Sequence, residues 1–79
     1  AAAVLAARKR INAQDYAGAV TVISDLRDAT PNRKVATDAA FAATDLAFLS
    51  YDATSGNPAY QDLKDSLAAL GKIGADCGA

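Results

Sequence analysis

The apolar residues of this chain recur at steps of three and four from one end to the other, the signature of helices that each bury one face. Val4, Ala7 and Ile11 form the first series, and Tyr16, Ala19, Ile23 and Leu26 the second. Val35, Ala39, Ala42, Leu46 and Leu49 form the third, with Phe41 and Phe48 one heptad apart on a flanking stripe. Tyr60, Leu63, Leu67 and Leu70 complete the set, and no segment alternates with the period of two that a strand requires. Four amphipathic helices with short connections predict an all-α fold, a small up-and-down four-helix bundle.

The boundaries come from the residues between these series. Thr30 with Pro31 and Asn57 with Pro58 each read as an N-cap followed by proline at the first helical position. Asp15 before "YAGAV" is a third N-cap candidate. The first segment ends near Asn12 with Arg8, Lys9 and Arg10 in its last turn, where positive charge suits the negative end of the helix macrodipole. The third helix, Pro31 to Ala53, is the longest and spans roughly 30 Å at the α-helical rise. Gly71 stands where a left-handed residue stops the last helix. The predicted organisation is a bundle domain over residues 1–71 and a flexible C-terminal tail over 72–79, in the glycine-rich "GKIGADCGA".

Composition sharpens this picture. The chain is 52% apolar, but alanine dominates that share, and Trp and Met are absent. Such a core needs closely spaced helices with thin side chains, because alanine forms helices well and fills volume poorly. One core of this size provides about 3–5 kcal/mol of net stability. All nine acidic residues are Asp, weak inside a helix and good at its start.

Several function classes fall away. A net charge of -1 lacks the positive excess of a nucleic-acid binder. There is no apolar run of the roughly 18–20 residues that cross a bilayer. In "AAAVLAARKR" the basic residues follow the apolar ones, the reverse of a secretory signal, and an alanine start without Met fits a processed mature chain or an incomplete one. With no His and only Cys77, the usual ligands of zinc or haem are missing, so no metal or cofactor is expected. Ser24, Ser50, Ser55 and Ser66 lack both a nucleophile-elbow context and a histidine base. Asp25 with Asp28, and Asp62 with Asp65, share helix faces and read as solvated polar surface. The sequence therefore predicts no catalytic residue, no small-molecule substrate and no enzyme.

Two basic clusters are the candidate partner-binding residues. Arg8, Lys9 and Arg10 form one; Arg33 and Lys34 form the other, in a first helical turn where positive charge is mildly unfavourable and an acidic protein partner would offset the cost. Tyr51 and Tyr60 are expected to close one end of the bundle, with their phenol oxygens at the water boundary.

Locally, "QDYAGAV…DLRDATPN" is similar to the second half of a tetratricopeptide repeat, with Asp15 and Tyr16 at the turn, Ala19 at the close-packing position and Pro31 at the repeat's end. That resemblance implies a helical adaptor binding a protein or peptide in a groove between the first two helices, at Tyr16 and Ile23. The whole chain resembles in layout the small extrinsic lumenal subunits of photosystem II, the PsbQ-like group, including its red-lineage algal variants. A short helix, a "DYAGAV…LRD" helix, a long alanine-rich helix ending "TDLAFLSYDAT" and a closing "AYQDLKDSLAALGKI" helix carry it. It implies a cofactor-free four-helix bundle in the thylakoid lumen of a plastid, peripheral to the membrane. Such a subunit docks on photosystem subunits and supports oxygen evolution through protein–protein interaction.

Overall fold

The computed structural model describes residues 2–78, and among these the chain is an all-α bundle of four helices. They are α1 (Ala2–Asn12), α2 (Tyr16–Ala29), α3 (Arg33–Ser55) and α4 (Tyr60–Gly78). α1 packs on α2, α2 on α3, and α3 on α4, while α4 returns to touch α1, giving a rod of 37 × 18 × 17 Å.

Turn chemistry sets the ends. Gln14 takes a left-handed φ of 59°, and the N–H groups of Gln14 and Asp15 then close onto the carbonyls of Ile11 and Arg10. Asp15 caps α2 by accepting from the Gly18 N–H at 3.0 Å. A Cβ at Gly18 would collide with that carboxylate. Gly18 thus serves the cap, whereas the close helix approach belongs to the fully buried Ala19.

At the start of α3 the expected Thr30-Pro31 entry is displaced by two residues. Asn32 is the cap, its Oδ1 accepting from the N–H groups of Lys34 and Val35 at 3.0 and 3.2 Å. A two-donor side chain-to-backbone cap outcompetes the one-acceptor alternative, and Thr30 Oγ1 instead braces the Asn32 N–H at 3.2 Å. Asn32→Ala should therefore cost about 1 kcal/mol, readable as a lower denaturation midpoint with an unchanged denaturant slope. α3 runs two residues past Ala53 to Ser55, where Gly56 at φ 76° lets the Asn57 N–H reach the Asp52 carbonyl at 2.8 Å. α4 begins at Tyr60, two residues beyond Pro58, with the Leu63 N–H bonded to the Ala59 carbonyl at 2.9 Å.

The core is thin, as the alanine content requires. Val4, Ala7 and Ile11 of α1 meet Ala19 and Ile23 of α2 and the buried series Val35, Ala39, Ala42, Leu46 and Leu49 of α3. α4 buries Leu70 and packs Leu63 against the core as its spacing predicts, but its inward face is rotated away from Tyr60 and Leu67. Ser66, Leu70 and Ile73 are fully buried, while Leu67 and Tyr60 lie outside, at 36% and 73% exposure.

The expected stop at Gly71 and the tail after it are replaced by helix. α4 continues to Gly78 because Ile73 extends the inward series one turn beyond Leu70. Burying that side chain, together with Asp76 against Lys34, outweighs the modest helix cost of Gly71 and Gly74. Among the described residues no helix is long and apolar enough to cross a membrane.

Candidate functional site

The outer face between α2 and α3 is where this bundle leaves apolar surface uncovered. α3 is 23 residues long against 14 for α2, and its inner series occupies only one side. The flanking stripe of Phe41, Phe48 and Tyr51 points outward at 67%, 59% and 67% exposure. Beside it runs a furrow floored by Ala36, Ala40, Ala43 and Ala47 and walled on the α2 side by Val20 and Arg27. Thr37 and Thr44 spend their hydroxyl protons on the carbonyls of Arg33 and Ala40 in their own helix, at 3.1 and 3.0 Å. Their contribution to the furrow is correspondingly apolar.

Charge along the furrow is one-sided. Arg27 and Arg33 line its Phe41 end, and no carboxylate is among the side chains that line it. Arg27 is held by Asp28 at 3.0 Å, which draws the Asp28 carboxyl below its ordinary range through the side-chain hydrogen bond and the guanidinium charge. Arg33 makes no ion pair among the described residues.

The five basic residues singled out by the sequence are not brought together. α1 and α2 meet at one end of the rod and α2 and α3 at the other, which separates Arg8, Lys9 and Arg10 from Arg33 and Lys34 by the length of α2. Arg10 is spent on Asp15 at 2.8 Å and Lys34 on Asp76 at 3.3 Å. The Gly18 N–H first, and Arg10 second, hold the Asp15 carboxyl below its usual range. Arg8, Lys9 and Arg33 remain without an ion pair among the described residues.

The groove expected between α1 and α2 is closed. Ile23 is fully buried and Tyr16 half-buried in the core. Tyr51 and Tyr60 do not close a bundle end either: Tyr51 belongs to the α3 stripe, and Tyr60 lies exposed beneath the Lys64 ammonium, 5.4 Å from its ring centre. Sequence reasoning placed Phe41 and Phe48 on their stripe without recognising its use. Their spacing, with Tyr51 three residues on, continues an aromatic face that the inner series leaves with nothing to cover.

The opposite face of α3 holds a second arrangement that the sequence hid. Asp38, Asp45 and Asp52 stand one heptad apart and turn toward α4, where Asp76 faces Asp38 and Asp62 faces Asp52. These acids are not all solvated surface: Asp38 is 5% exposed, and one carboxylate oxygen each of Asp38, Asp62 and Asp76 is buried with no donor to bond it unless a facing carboxyl carries a proton. The Asp38 carboxyl is pushed up by sharing a hydrogen bond with Asp76 and by burial, against the pull of Lys72 at 3.7 Å and of Lys34. Asp76 is drawn down by the same shared bond and by Lys34. At the other end Asp62 is pushed up by its bond with Asp52, by burial and by the charges of Asp52, Asp65 and Asp45, and no lysine opposes them. Asp45 is raised by burial and then by Asp65. Asp76 escaped notice because it sits in the segment read as tail.

Among the described residues no group of three His, Cys, Asp or Glu side chains is placed to hold a metal ion. Cys77 is free and exposed on the last turn of α4. Comparison with protein-family models, with curated proteins and with solved structures finds no match to this chain.

Proposed function

We propose that this chain is a non-catalytic accessory subunit that docks on a larger complex from its water-facing side, and that the complex is photosynthetic, on the lumenal face of photosystem II. The observation that carries docking is the aromatic stripe of α3. Three aromatic side chains about two-thirds exposed, beside an alanine-floored furrow, form one contiguous apolar patch of the size that marks interaction sites on small proteins. The photosystem assignment rests on the layout of the four helices relative to the lumenal extrinsic subunits. In this reading the subunit is peripheral to the thylakoid membrane, stabilises the complex, supports oxygen evolution and has no cofactor of its own. Arg8, Lys9 and Arg33 are the basic residues left for an acidic partner surface.

The adaptor alternative loses the groove it called for, since Ile23 is buried. What remains of it is the furrow between α2 and α3, which serves partner binding in either reading. Washing thylakoid membranes with concentrated salt should release the protein, because rim charges are screened within about 10 Å or less at such ionic strength. Recovery in the unbound fraction at low salt refutes membrane-complex docking.

A further inference from the structure

We infer that the furrow between α2 and α3 receives an amphipathic helix of a partner protein, with that helix's carboxylates against Arg33. This deepens the docking reading and rests on it. Shape comes first. A floor of alanines at steps of four and three admits a helix backbone closely, and the wall of Phe41, Phe48 and Tyr51 supplies ridges at the spacing of helical turns. The furrow follows α3 from Arg33 to Ser55, room for a partner helix of about 20 residues.

Area agrees with this. Aromatic side chains bury about 150–250 Å² each, so the exposed fractions of these three present roughly 300–500 Å² on their own. That is about half of the ~800 Å² per partner of an ordinary stable interface, the scale of a single docked helix.

Charge chooses the occupant. The furrow is cationic at its Arg33 end and has no carboxylate in its lining. Arg27 already has Asp28 at 3.0 Å, so the charge left to answer is Arg33, and a second copy of this chain laid furrow to furrow would bring no acid to it. An acidic helix answers it. Laid antiparallel to α3, it also turns the negative end of its macrodipole toward Arg27 and Arg33, and any glutamate or aspartate in its last turn adds to that attraction.

The probes are two fluorescently labelled peptides of about 18 residues, helical and with leucines along one face. One has glutamates and the other lysines filling its C-terminal turn. The Glu-ended peptide should bind saturably and about tenfold or more tighter than its Lys-ended twin. Phe48→Asp, at a site 59% exposed and so compatible with folding, should lower that affinity at least about tenfold by placing a charge in the apolar wall. Arg33→Glu should reverse the preference between the peptides while circular dichroism stays unchanged. Equal binding of both peptides, indifference to Phe48→Asp, or sedimentation showing that this face joins two copies of the chain each overturns the inference. Salt release of the native protein from thylakoids reports separately on the docking reading, so either result can fail without the other.

Discussion

Ile73→Ala should remove most of the protein's stability and populate the unfolded chain measurably at room temperature. Removing a fully buried isoleucine side chain costs about 2–5 kcal/mol through lost transfer energy and the cavity left behind, and a domain of this size holds only about 3–5 kcal/mol in all. The site sits where α4 has few other large side chains. Among the described residues only Leu70 and Ile73 of α4 are both large and fully buried, so the loss removes one of the two main anchors of this helix. Chemical denaturation monitored by circular dichroism reads the effect directly. Ile73→Val, which loses one methylene, should cost about 0.5–1.5 kcal/mol and remain folded. If Ile73→Ala melts like the parent, the last two turns of α4 contribute nothing to the core and the segment behaves as a tail.

The second large effect is a gain. The melting temperature of the parent should rise as pH is lowered from neutrality through the range of its raised carboxyls, the reverse of ordinary acid denaturation. Asp38, Asp62 and Asp45 all have carboxyls raised in the folded state. A raised acid binds its proton more readily folded than unfolded. Its stabilising contribution is complete below the ordinary aspartate value of 3.8 and is lost as pH climbs through the raised one. Asp15, Asp28 and Asp76 are lowered and act oppositely: their contributions are present above 3.8 and disappear as pH falls through their lowered values. Stability therefore passes through a maximum on the mildly acidic side before falling.

The two ends of the α3–α4 seam differ in weight. At Asp38 and Asp76 two lysines balance two acids. At Asp62 every charged neighbour named above is another carboxylate, so the stronger pH response belongs there.

Asp52→Asn isolates that response. Its amide can donate to Asp62 while its oxygen still accepts from Asn57 Nδ2, now 3.3 Å from the Asp52 carboxyl. It also removes a negative charge from the C-terminal part of α3, where relief of the macrodipole clash alone contributes about 0.3–1 kcal/mol. The variant should melt several degrees above the parent at neutral pH and gain less on acidification. A parent whose melting point falls steadily from neutrality, or an Asp52→Asn variant less stable than the parent at neutral pH, would show that the seam carries no strain.

The helix count, the inner face of α3 and the cap at Asp15 were legible in the sequence because each is a local matter. Steps of three and four name a buried face whatever lies opposite, and a capping side chain needs only the N–H groups beside it. α4 was misread in both register and length because its inward series mixes a serine with leucine and isoleucine: Ser66, Leu70 and Ile73. A count of leucines points instead to Leu67. The two glycines that seemed to end the helix are tolerated because a long-range neighbour, Lys34, holds Asp76 beyond them. Likewise the basic clusters looked equivalent in the sequence. Three-dimensional distances reveal that Arg10 is engaged at its own turn by Asp15 and Lys34 across the bundle by Asp76, and that Arg33 is not engaged. The candidate furrow was half visible: its aromatic spacing is written in the chain, but its emptiness depends on which helices fail to cover it.

That every acid in this chain is aspartate gives the α3–α4 seam a mechanical property. A glutamate has one more methylene and one more rotatable bond, enough to swing a crowded carboxylate out into water. Aspartate at Asp38, Asp62 and Asp76 is too short for that escape, and its outer oxygen stays buried. Where no lysine stands by, as at Asp62, crowding is relieved by taking up a proton or by moving a whole helix. The helix pair and the proton inventory are thereby geared together, and the short side chain is the tooth of the gear.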